Sequence, residues 1–168
     1  MNICLVGYGS IARSHLEALR GEDVRLGWVV GRLPEPTEAL ATEFGFARHD
    51  VELDAALDDP TVEAVLITSP SDLHADQAER ALRAGKHALV EIPLATNLGD
   101  ADRLNALATD RNLCLMVCHT QRYYPALVEA RRRIAEGELH VHHVVTRYGF
   151  LRRENVNWLG RRRSWTDN

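Results

Sequence analysis

Residues 3–12 read Ile3-Cys4-Leu5-Val6-Gly7-Tyr8-Gly9-Ser10-Ile11-Ala12, four apolar residues followed by a G-x-G-x-x-A loop and the start of a helix-period stretch. The order of these parts carries the meaning. Gly7 permits the tight turn out of a strand, Gly9 lets the backbone approach a pyrophosphate with no side chain in the way, and Ala12 lets the helix pack closely on the strand. The unbonded N–H groups of the first helical turn, where Ser10 and Ile11 sit, then face the phosphate charge. Glycines also serve plain turns, but between a strand and a helix this loop reads as a dinucleotide-binding site.

Outward from that loop, runs rich in Val, Ile and Leu alternate with helix-period stretches, the pattern of βαβ units around a parallel sheet. Strands are expected at Ile3–Val6, Val24–Val30, Ala64–Thr68, Ala88–Glu91 and Cys114–Cys118, and helices at Ile11–Leu19, Glu35–Phe44, Asp54–Leu57, Asp72–Ala84 and Leu98–Arg111. Ser71 and Asn97 are placed to cap the last two helices, Gly85 to close the fourth in a left-handed conformation, and Pro34 and Pro36 to begin the second. The fold class is therefore α/β, a doubly wound Rossmann sheet over residues 1–120. Residues 121–168 read as a linker helix at Ala126–Glu136 and a strand at Val141–Tyr148, the start of an incomplete second α+β domain.

A chain of 168 residues with 45% hydrophobic content suffices for one well-buried domain. It contains no apolar run long enough to span a membrane and no signal-peptide pattern at its start, so a cytoplasmic location and no membrane partner are expected. Cys4, Cys114 and Cys118 all fall in apolar runs and read as buried free thiols. The net charge of -4 hides an asymmetry, with 10 basic against 19 acidic residues before position 119 and 10 against 5 after it. The later positive charge clusters as Arg131–Arg133, Arg152-Arg153 and Arg161–Arg163. Aromatic interleaving is thin, so these clusters read as a solvated helix face and an anion-binding loop, not as a nucleic-acid surface.

NAD-binding Rossmann units usually end their second strand in Asp or Glu, which holds the ribose 2′-hydroxyl. This chain has Val30-Gly31-Arg32 there. No carboxylate repels a 2′-phosphate, and the Arg32 guanidinium can grip one with two hydrogen bonds, so NADP is expected, with NAD as the alternative.

Two further segments, Thr68-Ser69-Pro70-Ser71-Asp72-Leu73-His74 and Gly85-Lys86-His87-Ala88-Leu89-Val90-Glu91-Ile92-Pro93, make the chain similar to the Gfo/Idh/MocA oxidoreductases along essentially its whole length. Their usual T-P-x-x-x-H and A-G-K-H-V-x-x-E-K-P motifs fall at these positions. The resemblance implies that Thr68, Ser69, Pro70, His74 and Glu91 line the cofactor. It also implies a mostly β substrate domain following residue 168. Ile92 stands where the family has the lysine that hydrogen-bonds the reacting hydroxyl, and an isoleucine cannot move a proton.

Within the family, the Glu91-Ile92-Pro93 variant, His119–Pro125, Phe150–Asn157 and Arg163–Asp167 resemble a branch that oxidises a carboxylated semialdehyde, as its cyclic hemiacetal, with NADP. By that resemblance Arg122, Arg153, Asn155, Asn157 and Trp165 meet the substrate. Gln121 departs from the branch, which tends to have a second arginine there.

His119 ends the last expected strand, on the edge where α/β sheets bind ligands. It is the best titratable candidate for the proton acceptor, although a structural hydrogen-bonding role is equally open. His140 and His142 share a strand face at a metal-compatible spacing, but no third ligand accompanies them, so no metal is expected. The residues together indicate an NADP-dependent dehydrogenase of a small carboxylated semialdehyde, hemiacetal or hydroxyl compound, with a homo-oligomer through the C-terminal region allowed. The alternative is a nucleotide-binding sensor or an inactive fragment, since Ile92 removes the usual proton handler.

Overall fold

The computed structural model describes residues 1–147. Six strands alternate with helices: β1 (Asn2–Val6), α1 (Ser10–Ala18), β2 (Arg25–Val30), α2 (Pro34–Phe44), β3 (Arg48–Asp50), α3 (Leu53–Leu57), β4 (Ala64–Ile67), α4 (His74–Arg83), β5 (His87–Val90), α5 (Leu98–Asp110) and β6 (Leu115–Val117). A 3-10 turn at Thr120–Tyr123 and α6 (Pro125–Ala135) follow. The strands form one all-parallel sheet in the order β3-β2-β1-β4-β5-β6, the doubly wound arrangement expected from the sequence.

Successive strand residues point to opposite faces, and each face has its own apolar layer. Cys4, Val6, Trp28, Val30, Val65, Ile67, Ala88 and Val90 pack under α3, α4 and α5 through Leu53, Ala78, Leu82 and Leu104. Leu5, Val29 and Leu66 pack on the other face against Ala12 and Leu16 of α1 and Leu40 and Ala41 of α2. This two-sided burial is why the central strands read as continuous apolar runs.

Local signals behaved unevenly. Asn97 caps α5 by accepting from the Asp100 N–H, Gly85 takes φ +75°, and Pro34 begins α2. Ser71 does not cap α4: that helix starts at His74 behind Leu73, and the Ser71 hydroxyl is buried with no hydrogen-bond partner among the described residues. Cys114 is exposed, because it precedes β6 instead of lying in it, while Cys4 and Cys118 are buried. The strand expected at Val141–Tyr148 does not form over residues 141–147, which pair with no other strand; Tyr148 lies outside the described residues. Arg153, Asn155, Asn157 and Trp165 lie outside them as well.

The amino-terminal edge of the sheet is closed by fixed polar contacts. Asp59 accepts from Trp28 Nε1 at 2.8 Å and from the Thr61 hydroxyl at 2.7 Å. These bonds, with the Thr61 backbone N–H and the charge of Arg48, hold its carboxyl well below the usual carboxylate range against the effect of burial. Lys86, the one lysine of the chain, donates from Nζ to the Asp59 and Val62 carbonyls at 2.8 Å each. It therefore cannot replace a lysine at the opposite edge.

Candidate active site

At the carboxyl-terminal edge the backbone ladder runs on past the strands. Gly7 N–H donates to Val30 O, Thr68 N–H to Val6 O, Glu91 N–H to Ile67 O and Cys118 N–H to Val90 O. Gly7, Thr68, Glu91 and Cys118 thus line one rim, and the strand order reverses between β1 and β4, where such sheets bind ligands.

The loop glycines have separate physical reasons. Gly7 lies at φ +109°, and a Cβ there would come within 2.7 Å of Thr68 Oγ1 and 2.9 Å of the Thr68 carbonyl oxygen. Thr68 Oγ1 is itself fixed by a 2.8 Å bond to Val6 O, so it cannot yield. Gly9 has ordinary backbone angles (φ -75°, ψ -176°) as the residue before α1, and a Cβ there would meet nothing within 4 Å. Among the described residues, its missing side chain therefore answers to no neighbour, which fits a bound group approaching the backbone. The first turn of α1, with Ser10 and Ile11 exposed, has no side-chain cap and no acidic residue. Ala12 is fully buried against the sheet.

Gly31 is packed between Thr37 and Tyr8, where a Cβ would come within 2.4 Å of each side chain. Arg32 is exposed beside it, and no described residue holds its guanidinium. Asp50, which belongs to none of the sequence motifs, ends β3 with its backbone carbonyl accepting from Gly31 N–H at 3.1 Å. Its carboxylate is turned onto its own loop, accepting from the Val51 and Glu52 N–H groups through Oδ1.

The two motif loops are tied together through His74, which is buried at the start of α4. Its Nε2 lies 2.7 Å from Ser69 O and its Nδ1 2.7 Å from Pro93 O. Ser69 also donates its hydroxyl to Gln77 Oε1 at 2.5 Å, while Pro70 is exposed. His74 is a strut between the loops after β4 and β5, not a base facing solvent.

Glu91, at the end of β5, meets a partner that the sequence did not single out. His15 of α1 places Nε2 at 2.6 Å from Glu91 Oε1, and the Cys118 sulfur lies 4.0 Å from the same nitrogen. Burial, the largest influence on Glu91, opposes its ionisation. The bond to His15 and its charge, the Ile92 N–H and the Cys118 thiol together outweigh that and hold the carboxyl below its ordinary value. Burial first, and then the charge and hydrogen bond of Glu91, push the Cys118 thiol up to about 12.

A depressed carboxyl stabilises the fold fully above its unfolded value, near about 4.3, and that stability is lost as pH falls through the lower folded value. The melting temperature of the parent protein is expected to fall more than that of Glu91→Gln between about pH 5 and about pH 3. Parallel curves in differential scanning calorimetry would contradict this.

His119 is exposed beyond Cys118 on the same rim, donating its N–H to Val117 O and accepting at its carbonyl from Arg122 N–H. Arg122 is exposed in the 3-10 turn that follows. Ile92 is also exposed, so the side chain in place of the expected lysine brings no polar group to the rim. Among the described residues, His140, His142 and His143 form no cluster with further metal-ligating groups.

The amino-acid sequence matches the family described as "Oxidoreductase family, NAD-binding Rossmann fold" over residues 1–119, the stretch that forms the parallel sheet and the Gly7–Gly9 loop at its switch point. The chain belongs to the Gfo/Idh/MocA oxidoreductase family. It is 35% identical over 168 residues to 4-carboxy-2-hydroxymuconate-6-semialdehyde dehydrogenase of Sphingobium sp. (strain NBRC 103272 / SYK-6), covering 99% of this chain and 53% of that protein. It is 34% identical over 140 residues to inositol 2-dehydrogenase of Rhizobium meliloti (strain 1021), covering 80% and 41%.

Among solved structures it is similar to GenD2 from gentamicin A biosynthesis in complex with NAD, with TM-score 0.76, 35% identity and coverage of 82% of this chain and 40% of that one. It is likewise similar to KijD10, a 3-ketoreductase from Actinomadura kijaniata in complex with NADP and TDP-benzene, with TM-score 0.73, 32% identity and coverage of 82% and 42%. The chain spans about half the length of the curated relatives it matches. No helix of the described residues is long and apolar enough to cross a membrane.

Proposed function

We propose that this family member is an NADP-dependent dehydrogenase acting on a small carboxylated semialdehyde, hemiacetal or hydroxyl compound. The observation that carries the dinucleotide reading is the rim itself: among the described residues nothing lies within 4 Å of a Cβ at Gly9, beside an uncapped helix start, while Gly7 and Thr68 are locked together. Gly7, Gly9, Ser10, Ile11 and Ala12 would hold the pyrophosphate. Gly31 and Arg32 would take the adenosine end, and Thr68, Ser69, Pro70, His74 and Glu91 the nicotinamide ribose. Bound there, the nicotinamide supplies the hydride acceptor.

The chain's own residues must supply the proton chemistry and the substrate clamp. With Ile92 apolar and Lys86 bound at the far edge, His119 is the residue we assign to accept the hydroxyl proton. Arg122, and in the following segment Arg153, Asn155, Asn157 and Trp165, would hold the carboxylated substrate, a role that suits guanidinium groups. Residues 121–168 would then open a second, substrate-binding domain.

A chimera that continues after Asn168 with the second half of the Sphingobium dehydrogenase tests the activity. It is expected to reduce NADP when given a carboxylated semialdehyde. Binding of NADP without its reduction would overturn the enzymatic reading and favour a nucleotide sensor, which the apolar Ile92 also suits. Cofactor preference has its own test. Arg32→Ala is expected to shrink the advantage of NADPH over NADH by roughly 10–100-fold in fluorescence titration, the worth of a charge-assisted hydrogen-bond pair. An unchanged ratio would take Arg32 out of cofactor recognition.

A further inference from the structure

His15, Glu91 and Cys118 come from three separate elements, α1 and the ends of β5 and β6, yet one ligand atom of each lies within 4.8 Å of the other two. The set offers an imidazole nitrogen, a carboxylate oxygen and a sulfur. That mixture suits a borderline-soft dication of the zinc type better than magnesium or calcium, which prefer oxygen alone.

We infer that His15, Glu91 and Cys118 form a binding site for Zn²⁺, with the fourth position left to water. A tetrahedral zinc would set its nitrogen, oxygen and sulfur ligands about 3.5 Å apart. The observed separations are 2.6 Å for His15 Nε2 to Glu91 Oε1 and 4.0 Å for His15 Nε2 to Cys118 Sγ. Opening the first and closing the second are sub-ångström changes within reach of side-chain torsions.

The carriers are stiff. Glu91 and Cys118 follow directly on paired strands, and Glu91 Oε2 accepts the Ile92 N–H at 3.3 Å, leaving Oε1 for the metal. The His15 and Glu91 side chains are 19% and 14% exposed, enough for an ion to enter but little enough to shield it from competing water.

Coordination breaks the S–H bond of Cys118 and releases its proton to solvent as the Zn–S bond forms. The proton between His15 Nε2 and Glu91 Oε1 vacates both atoms, since both turn to the metal: it passes to His15 Nδ1, or leaves to solvent where Nδ1 already carries one. The dication then stands where the negative carboxylate had opposed a second negative group, so the charge conflict that disfavours a thiolate beside Glu91 is relieved.

Co²⁺ is the probe for this site, because a thiolate ligand gives it a near-ultraviolet charge-transfer absorption that oxygen and nitrogen ligands do not. The chain is expected to take up one equivalent of Co²⁺ with that absorption and to lose it when Zn²⁺ is added. Cys118→Ser should abolish the absorption, and Cys114→Ser, which removes the exposed thiol, should leave it intact. The zinc affinity of Cys118→Ser should fall by more than the roughly 10–100-fold that changes around a metal's ligands cost.

His15→Gln and Glu91→Gln keep the thiol and should each weaken cobalt binding, which decides the matter if Cys118→Ser does not fold. Absence of the absorption in the parent chain would overturn the site. So would its loss in Cys114→Ser with retention in Cys118→Ser, or parent-like cobalt affinity in both His15→Gln and Glu91→Gln.

Discussion

Gly9→Val is expected to remove NADPH binding, by 100-fold or more in fluorescence titration, while the melting temperature stays within a few degrees of the parent. A Cβ at Gly9 meets nothing within 4 Å among the described residues, and the backbone angles suit any residue, so the fold has no reason to object. The valine methyl groups would instead fill the space through which the pyrophosphate must approach the backbone. Gly7→Ala is the contrasting variant. Its Cβ would press into Thr68 at 2.7 Å from Oγ1 and 2.9 Å from the carbonyl oxygen, at a φ that L residues rarely adopt, so it should lower stability as well as binding. Gly9→Val with parent affinity would show that the dinucleotide does not cross this loop.

His119→Asn, made in the chimera that completes the substrate domain, should lower kcat by about 10²–10⁴, the usual worth of a positioned general base, with KM little changed. The expectation follows from elimination along the rim. Ile92 offers no proton acceptor, Lys86 donates to two carbonyls at the opposite edge, and His74 is buried between Ser69 O and Pro93 O. The Cys118 thiol, pushed up to about 12, stays protonated at neutral pH. His119 is the exposed imidazole that directly follows Cys118 on the rim. Unchanged turnover with His119→Asn would move the proton chemistry elsewhere.

The sheet was legible because its central strands are buried on both faces and so declare themselves as unbroken apolar runs. β3 was not, for the opposite reason: Arg48-His49-Asp50 is a polar edge strand, held by backbone pairing to Trp28, Val29 and Val30 and carrying no apolar signal. The β-branched run Val141–Tyr148 shows the converse. Its composition favours a strand, but a strand is made by a pairing partner, and over residues 141–147 none is present.

The site divides in the same way. Gly7, Gly9 and Ala12 could be read because a short loop does the whole task within ten residues. The meeting of His15 with Glu91 and Cys118 could not, since His15 lies 76 residues from the first and 103 from the second, and only the sheet order brings α1 over the ends of β5 and β6. A histidine three residues beyond Ala12 on a helix carries no local mark of that contact.

The central claim is that the carboxyl-terminal rim at the β1/β4 switch point is a nicotinamide dinucleotide site, and calorimetric titration of the unmodified chain with NADPH and with NADH tests it most directly. Saturable binding of one NADPH per chain, tighter than NADH, is the predicted result. Heats no larger than dilution for both cofactors would contradict the claim.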